Sequence, residues 1–318
     1  MVKKLKIQLE NNKTFKQGFE EFIDSCKSRN LRLATIEHYE EGYKAIIKFL
    51  HEDTAIKDIT PKTIGEFVRY CRDNLNINSQ TLHTYCRDFK TILYFFMRMD
   101  YMTTFRISLP KVDKTAIESY SDAELKILLK KPDLKKCTFV EYRNYVIVNF
   151  LISTAVRLNS LINIKIKDID LENEVVYVNV TKNRKPLILP LNRTIMKILK
   201  EYLKIRQYKG NEEYLFCTAY NKQLCKKTLN GSLNKYNHDR GIIKTGIHRY
   251  RHTSAKKFIL AGRNPAILQK LLGHSSLLIT QNYINILVSD LKKEINDYDI
   301  LEEFNSTNHI KMKQKNKR

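Results

Sequence analysis

The sequence predicts a mainly α-helical protein with a small β-sheet, an α+β fold in two domains. Apolar side chains recur at helical spacing through the first hundred residues, whereas β-branched residues alternate along a short segment near residue 175. Between residues 101 and 120 neither periodicity is sustained. A length of 318 residues also favours two domains. We therefore expect an N-terminal helical bundle followed by a mixed domain.

Four helices are expected in the first domain. Thr14 and Gln17 form a capping box that opens the first helix, and Pro61 after Thr60 is typical of a helix start. The other two begin near Thr35 and Ser79, and the last runs to about residue 99. Their aromatic stripes predict a packed core. Basic residues on the other faces indicate a side that meets DNA.

Residues 107–120 form the expected linker, so the first domain covers residues 1–106. The second, residues 121–305, opens with a capping box at Ser121 and Glu124. Val140 to Ser153 is expected to be its central buried helix, and residues 175–180 and 187–191 pair as a hairpin with Pro190 on an edge strand. Further helices are expected at 193–208, 226–236, 249–261, 265–272 and 289–304, before a basic tail at 306–318.

Charge is the strongest compositional feature of the chain. It has 57 Lys and Arg against 34 Asp and Glu, a net charge of +23, which favours a polyanionic partner. No segment approaches the length of a transmembrane helix, and the N-terminus lacks the apolar core of a signal peptide. The six cysteines show no metal-binding spacing. We expect a cytoplasmic nucleic-acid-binding protein without disulfides or structural metal.

The second domain carries a set of residues suited to attack on a phosphodiester by tyrosine. A phenol must lose its proton as it attacks, since its pKa is near 10, and two arginines can neutralise the charge that builds on the phosphate. Imidazole can add a further donor, and lysine can protonate the departing alkoxide. The candidate residues, in chain order, are Arg157, Lys182, His248, Arg251, His274 and Tyr283.

The order and spacing of these residues resemble the catalytic domain of the tyrosine recombinases, the phage integrase family. Its signatures are matched by TAVRLNSL at 154–161, TK at 181–182, HRYRHTS at 248–254 and LLGHSSLLITQNY at 271–283. The helical first domain resembles the family's core-binding domain by pattern. Ser160, Ala155 and Asn285 replace the usual acid, glycine and histidine.

The resemblance implies a mechanism with no cofactor. Tyr283 would attack the scissile phosphate and form a 3′-phosphotyrosyl link, while Arg157, Arg251 and His274 hold the phosphate. Lys182 would protonate the leaving 5′-oxygen, although Lys185 in the same turn is an open alternative, and His248 would take the tyrosine proton.

The resemblance also implies double-stranded DNA as partner and a homotetramer acting on two DNA sites, from a protein that is a monomer when free. The expected function is site-specific recombination for integration or excision of a mobile element. Xer-type resolution of chromosome or plasmid dimers is the first alternative. A non-catalytic DNA-binding relative and a type IB topoisomerase-like activity are the others.

Overall fold

The computed structural model describes residues 12–112 and 117–274, which form two compact units on either side of that gap. Tyr283, Asn285, the expected helix at 289–304 and the basic tail lie outside the described residues.

The first unit is a bundle of four helices. They are α1 (Phe15–Ser28), α2 (Leu33–Ile46), α3 (Pro61–Asn74) and α4 (Ser79–Arg98). The capping box at Thr14 is present, and α2 begins two residues before the expected start. Aromatic rings fill the core, where Phe15 meets Phe89 and Phe96 edge-on at centroid distances of 5.9 and 5.8 Å. Such contacts add to the apolar area that the rings bury.

The second unit is mostly helical and contains one small sheet. Its helices are α5 (Asp122–Leu128), α6 (Phe139–Thr154), α7 (Leu158–Leu161), α8 (Arg193–Arg206), α9 (Lys226–His238), α10 (Ile247–Leu260) and α11 (Pro265–Leu272). The predicted central helix is confirmed as α6, which is buried along most of its length. The capping box at Ser121 and Glu124 is also present. Helix α10 begins at Ile247 instead of Arg249, so that His248 lies within it.

The sheet has three antiparallel strands in the order β1 (Ile169–Asp170), β2 (Val175–Val178) and β3 (Leu187–Pro190). Val176 pairs with Leu189 and both are buried, because alternate residues of the hairpin face the core. The prediction that Pro190 lies on an edge strand is confirmed. Strand β1 was not predicted, since two residues are too few to show an alternation.

The two carboxylates that precede the hairpin shape its approach. Asp168 accepts hydrogen bonds from the Lys165 amide (2.8 Å) and from Asn179 (2.9 Å), the residue that follows β2. Asp170 accepts from the turn residue Asn173 at 2.8 Å. These contacts fix the turns around β2 and hence the base of the hairpin. In the described ranges, no helix has both the length and the apolar character needed to cross a bilayer.

Candidate active site

Arg157 is positioned by the sharp end of α6. Ala155 ends that helix in the left-handed region, with φ of 52°, and the chain then turns so that Arg157 is the residue before α7. The half-buried Arg157 side chain reaches the carbonyl of Gly273 at 3.5 Å. The left-handed residue explains why relatives with this motif use glycine, and why its replacement by alanine is compatible with the same turn but strained.

Arg251 is the most enclosed charged group of the site. It lies one turn into α10, is 2% exposed, and donates to the carbonyls of Ala155 and Leu272, the latter at 2.8 Å. The same guanidinium lies 2.8 Å from Nε2 of His274. One side chain therefore joins the end of α6, α10 and the end of α11.

His274 follows α11, which ends at Gly273 in the left-handed region (φ 58°). Burial, then the charges of Arg251 and Arg157, lower the pKa of His274 to about 4, so its ring is neutral near pH 7. Because Arg251 can only donate, Nε2 of the neutral ring accepts and the ring proton is assigned to Nδ1. We call Arg157, Arg251, Gly273 and His274 the arginine wall.

Lys182 lies in the turn between β2 and β3, residues 181–185, which we call the lysine turn. The hydroxyl of Thr181 donates to the carbonyl of Lys185 at 2.7 Å and closes the turn. Lys182 and its neighbours through Pro186 are exposed. Asn183 reaches out of the turn, and its side-chain amide donates to the Gly273 carbonyl at 3.3 Å.

The arginine wall and the lysine turn line one cavity of about 330 Å³. Its polar lining includes Arg157, Arg251, His274, Ser160, Thr181 and Lys185. Ser160 is 5% exposed and occupies the position where the family has an acid. Lys185 thus lies in the cavity wall, whereas the charge of Lys182 acts on His248.

His248 stands at the start of α10 and is exposed. Desolvation of its ring, then the charges of Arg251, Arg157 and Lys182, lower its pKa below the ordinary 6.5. Burial, followed by His248 and the two flanking arginines, lowers the pKa of His252 to about 4. Both imidazoles are therefore bases in a cationic environment, as a proton acceptor for tyrosine requires. Of the six candidates, five are described, and Tyr283 lies outside the described residues.

A buried polar network behind the site was missed by sequence reasoning. The hydroxyl of Tyr250, between His248 and Arg251, donates to Asn237 on α9, and Asn237 in turn donates to Tyr120 at 2.8 Å. Its tyrosines look like core aromatics in the sequence, so only a buried asparagine on α9 could have signalled it. The network fixes the rotation of α10, and so the direction of its catalytic residues.

The arrangement is suited to holding a phosphate while its charge grows. Two guanidiniums converge on one cavity with a neutral imidazole, whose Nδ1 proton is a further donor, and reduced solvent there strengthens each interaction. Within residues 12–112 and 117–274, no three His, Cys, Asp or Glu side chains group as a metal site.

Comparison with known proteins identifies the family. The model of the phage integrase family matches residues 122–289, and that of the phage integrase SAM-like domain matches residues 14–107. The chain belongs to the phage integrase family. This membership confirms the resemblance inferred from the motifs, and with it the prediction of a tyrosine recombinase, an enzyme of DNA recombination.

Similar proteins include tyrosine recombinases named for Xer. The XerA protein of Pyrococcus furiosus is 32% identical over 200 residues, which cover 62% of this chain and 67% of that protein. The XerC protein of Roseiflexus castenholzii is 28% identical over 269 residues, or 81% of this chain and 85% of that protein.

Solved structures of other recombinases share the fold of this member of the phage integrase family. The Tn1549 transposon integrase in complex with a circular intermediate DNA has a TM-score of 0.71 at 18% identity, covering 89% of this chain and 99% of that chain. A lambda integrase dimer bound to a core site has a TM-score of 0.69 at 17% identity, covering 85% and 95%. At these identities the likeness concerns the fold, and it confirms the predicted mainly α class with a small sheet.

Proposed function

We propose that the protein is a site-specific DNA recombinase that cuts and rejoins strands through a 3′-phosphotyrosyl intermediate. The observation that carries the proposal is the convergence of Arg157, Arg251 and His274 on one cavity beside the lysine turn. Two fixed cations and a neutral imidazole match the charge that develops on a phosphodiester under attack. Double-stranded DNA is the partner, and four copies of the chain act on two sites.

In the cleavage step the Tyr283 oxygen forms a bond to phosphorus while the bond from phosphorus to the 5′-oxygen breaks. The tyrosine proton passes to His248, whose lowered pKa keeps the ring unprotonated near pH 7. The electron pair of the broken bond goes to the 5′-oxygen, which takes a proton from Lys182. Attack by the 5′-hydroxyl of a partner strand reverses these transfers, so the phosphodiester bond energy is retained.

Covalent capture tests this chemistry on DNA of any sequence. A pool of duplexes of randomised sequence, each with nicks that let a short cleaved fragment diffuse away, should yield DNA bound covalently to the protein. Tyr283→Phe should lose the adduct and retain DNA binding. Tyr220→Phe is the matched control, because Tyr220 is 85% exposed and should cleave as the native chain does. No adduct from the native chain, or an adduct that survives Tyr283→Phe, contradicts the proposal.

Integration and excision of a mobile element is the role that we propose for this reaction. Resolution of chromosome or plasmid dimers is the second candidate, and the names of the XerA and XerC relatives favour it. The captured sequence distinguishes the two. Copies at both ends of a mobile element support integration, whereas a single copy in a chromosome or plasmid, away from such ends, supports dimer resolution.

A further inference from the structure

The carbonyl oxygen of Gly273 is a shared acceptor at the centre of the site. Arg157 reaches it at 3.5 Å from the start of α7, and Asn183 donates to it at 3.3 Å from the lysine turn. The glycine itself precedes His274. A single oxygen, at the negative end of α11, therefore links three elements that carry catalytic candidates.

The packing around Gly273 shows how closely the hairpin approaches this point. A Cβ atom placed on Gly273 would lie 3.4 Å from Cδ2 of Leu187 in β3, and 3.7 Å from Nη1 of Arg157. The backbone at Gly273 thus lies directly against β3, and the amide of Asn183 adds a directed contact to this apolar one. The Thr181 hydroxyl, bonded to the Lys185 carbonyl at 2.7 Å, keeps the turn closed.

We propose that Asn183 is a positioning residue for the general acid: it anchors the lysine turn to the Gly273 carbonyl and so holds Lys182 at the leaving 5′-oxygen. Asn183 is exposed and carries no charge, so it adds neither core packing nor phosphate attraction. Its contact is also complementary to that of Arg157. When Arg157 turns to a bound phosphate, Asn183 remains as a donor to the same carbonyl and keeps the turn in place.

This inference rests on the proposed function and predicts a defect confined to one step. Asn183→Ala should slow cleavage of a captured sequence by about tenfold to a hundredfold under single-turnover conditions, since a displaced catalytic group costs rate of that order. Thermal unfolding should be unchanged. Thr181→Val, which keeps the side-chain shape and removes the bond that closes the turn, should produce the same defect.

The decisive measurement replaces the scissile 5′-oxygen with sulfur. A thiolate leaves without protonation, since thiols have a pKa near 8.5 and alcohols one far higher. With this substrate, Asn183→Ala and Thr181→Val should both cleave within about twofold of the native rate, whereas a general defect of folding or DNA binding would persist. Asn173→Ala is the matched control, because Asn173 donates to Asp170 within the neighbouring turn of the same sheet.

Each outcome separates the inference from the proposed function. If the native chain cleaves neither substrate, the proposed function itself fails. If it cleaves both and Asn183→Ala matches it on the oxygen substrate, the positioning role is wrong. A loss that is equal on the oxygen and sulfur substrates also overturns that role, because Asn183 would then act on a step other than protonation of the leaving group.

Discussion

The arginine wall and the lysine turn differ in how completely the protein holds them. Arg251 is 2% exposed and bonds to two carbonyls and to His274, while the exposed lysine turn is fixed by the Thr181 hydroxyl and the Asn183 amide. The groups that bind charge are thus oriented before DNA arrives, at no cost when the reaction occurs. The proton donor lies instead on an element that DNA can reach and adjust.

Loss of Arg251 should break the wall side of this comparison. Arg251→Ala should reduce single-turnover cleavage about a thousandfold, since a donor aimed at developing charge is removed. It should also lower the free energy of unfolding by about 2–3 kcal/mol, because two buried carbonyls lose their donor. Cleavage of a captured sequence and urea unfolding measure the two effects.

Arg143 provides the control for this variant. It is 3% exposed and donates to the Cys217 carbonyl at 2.9 Å, away from the cavity residues. Arg143→Ala should destabilise the fold to a similar extent and leave cleavage unchanged at a temperature where both variants are folded. Equal losses of cleavage in the two would mean that Arg251 acts through stability alone.

The lysine turn contains two candidates for the general acid, and the substitutions rank them. Lys182→Ala should slow cleavage about a hundredfold, the smaller end of the range for general acid catalysis, and a 5′-sulfur substrate should restore the rate. Lys185→Ala should slow both substrates alike and by less, because Lys185 lines the cavity beside the phosphate-binding residues. The opposite pattern of rescue would assign the acid to Lys185.

The wall should also make stability depend on pH. His274 has a pKa of about 4 in the folded protein and about 6.5 when unfolded, so the unfolded chain binds the proton first as pH falls. Its contribution to stability is complete above pH 6.5 and should be lost as the pH falls towards 4, by at most about 1.4 kcal/mol per pH unit. Urea unfolding at several pH values should show this slope, and His274→Gln should flatten it. An unaltered slope in His274→Gln would refute the assignment.

The smallest effect is expected at Ala155, where two contributions oppose each other. Replacement by glycine relieves a left-handed residue, worth roughly 1 kcal/mol, but removes a buried methyl group of similar value. Ala155→Gly should therefore change the free energy of unfolding by less than about 1 kcal/mol and leave cleavage intact. A change above about 2 kcal/mol in urea unfolding would show that one contribution dominates.

Much of the site could be predicted because its residues lie in segments with strong local signals. Capping at Ser121, the apolar run of α6 and the glycine after α11 each have a direct physical cause in the chain, and they locate Arg157, Arg251 and His274 on elements that must pack together. The hairpin and its proline edge follow from alternation and from the missing amide of proline.

The remaining features depend on contacts between distant residues. Asn183 is one exposed polar residue in a turn, and nothing local indicates that its amide reaches Gly273. Tyr250 and Tyr120 fall on apolar stripes, so their hydroxyl contacts through Asn237 are not visible in the sequence. Strand β1 exists because β2 lies beside it, not because two residues favour a strand.

The contacts that build the arginine wall join residues far apart in the chain. Arg157 and Gly273 are separated by 116 positions, Arg251 and Ala155 by 96, and Asn183 and Gly273 by 90. Contacts of such high sequence separation form late, because a large loop must close first. A nascent or partly folded chain therefore cannot assemble the phosphate-binding groups, and the capacity to break DNA arises only when folding of the second unit is complete.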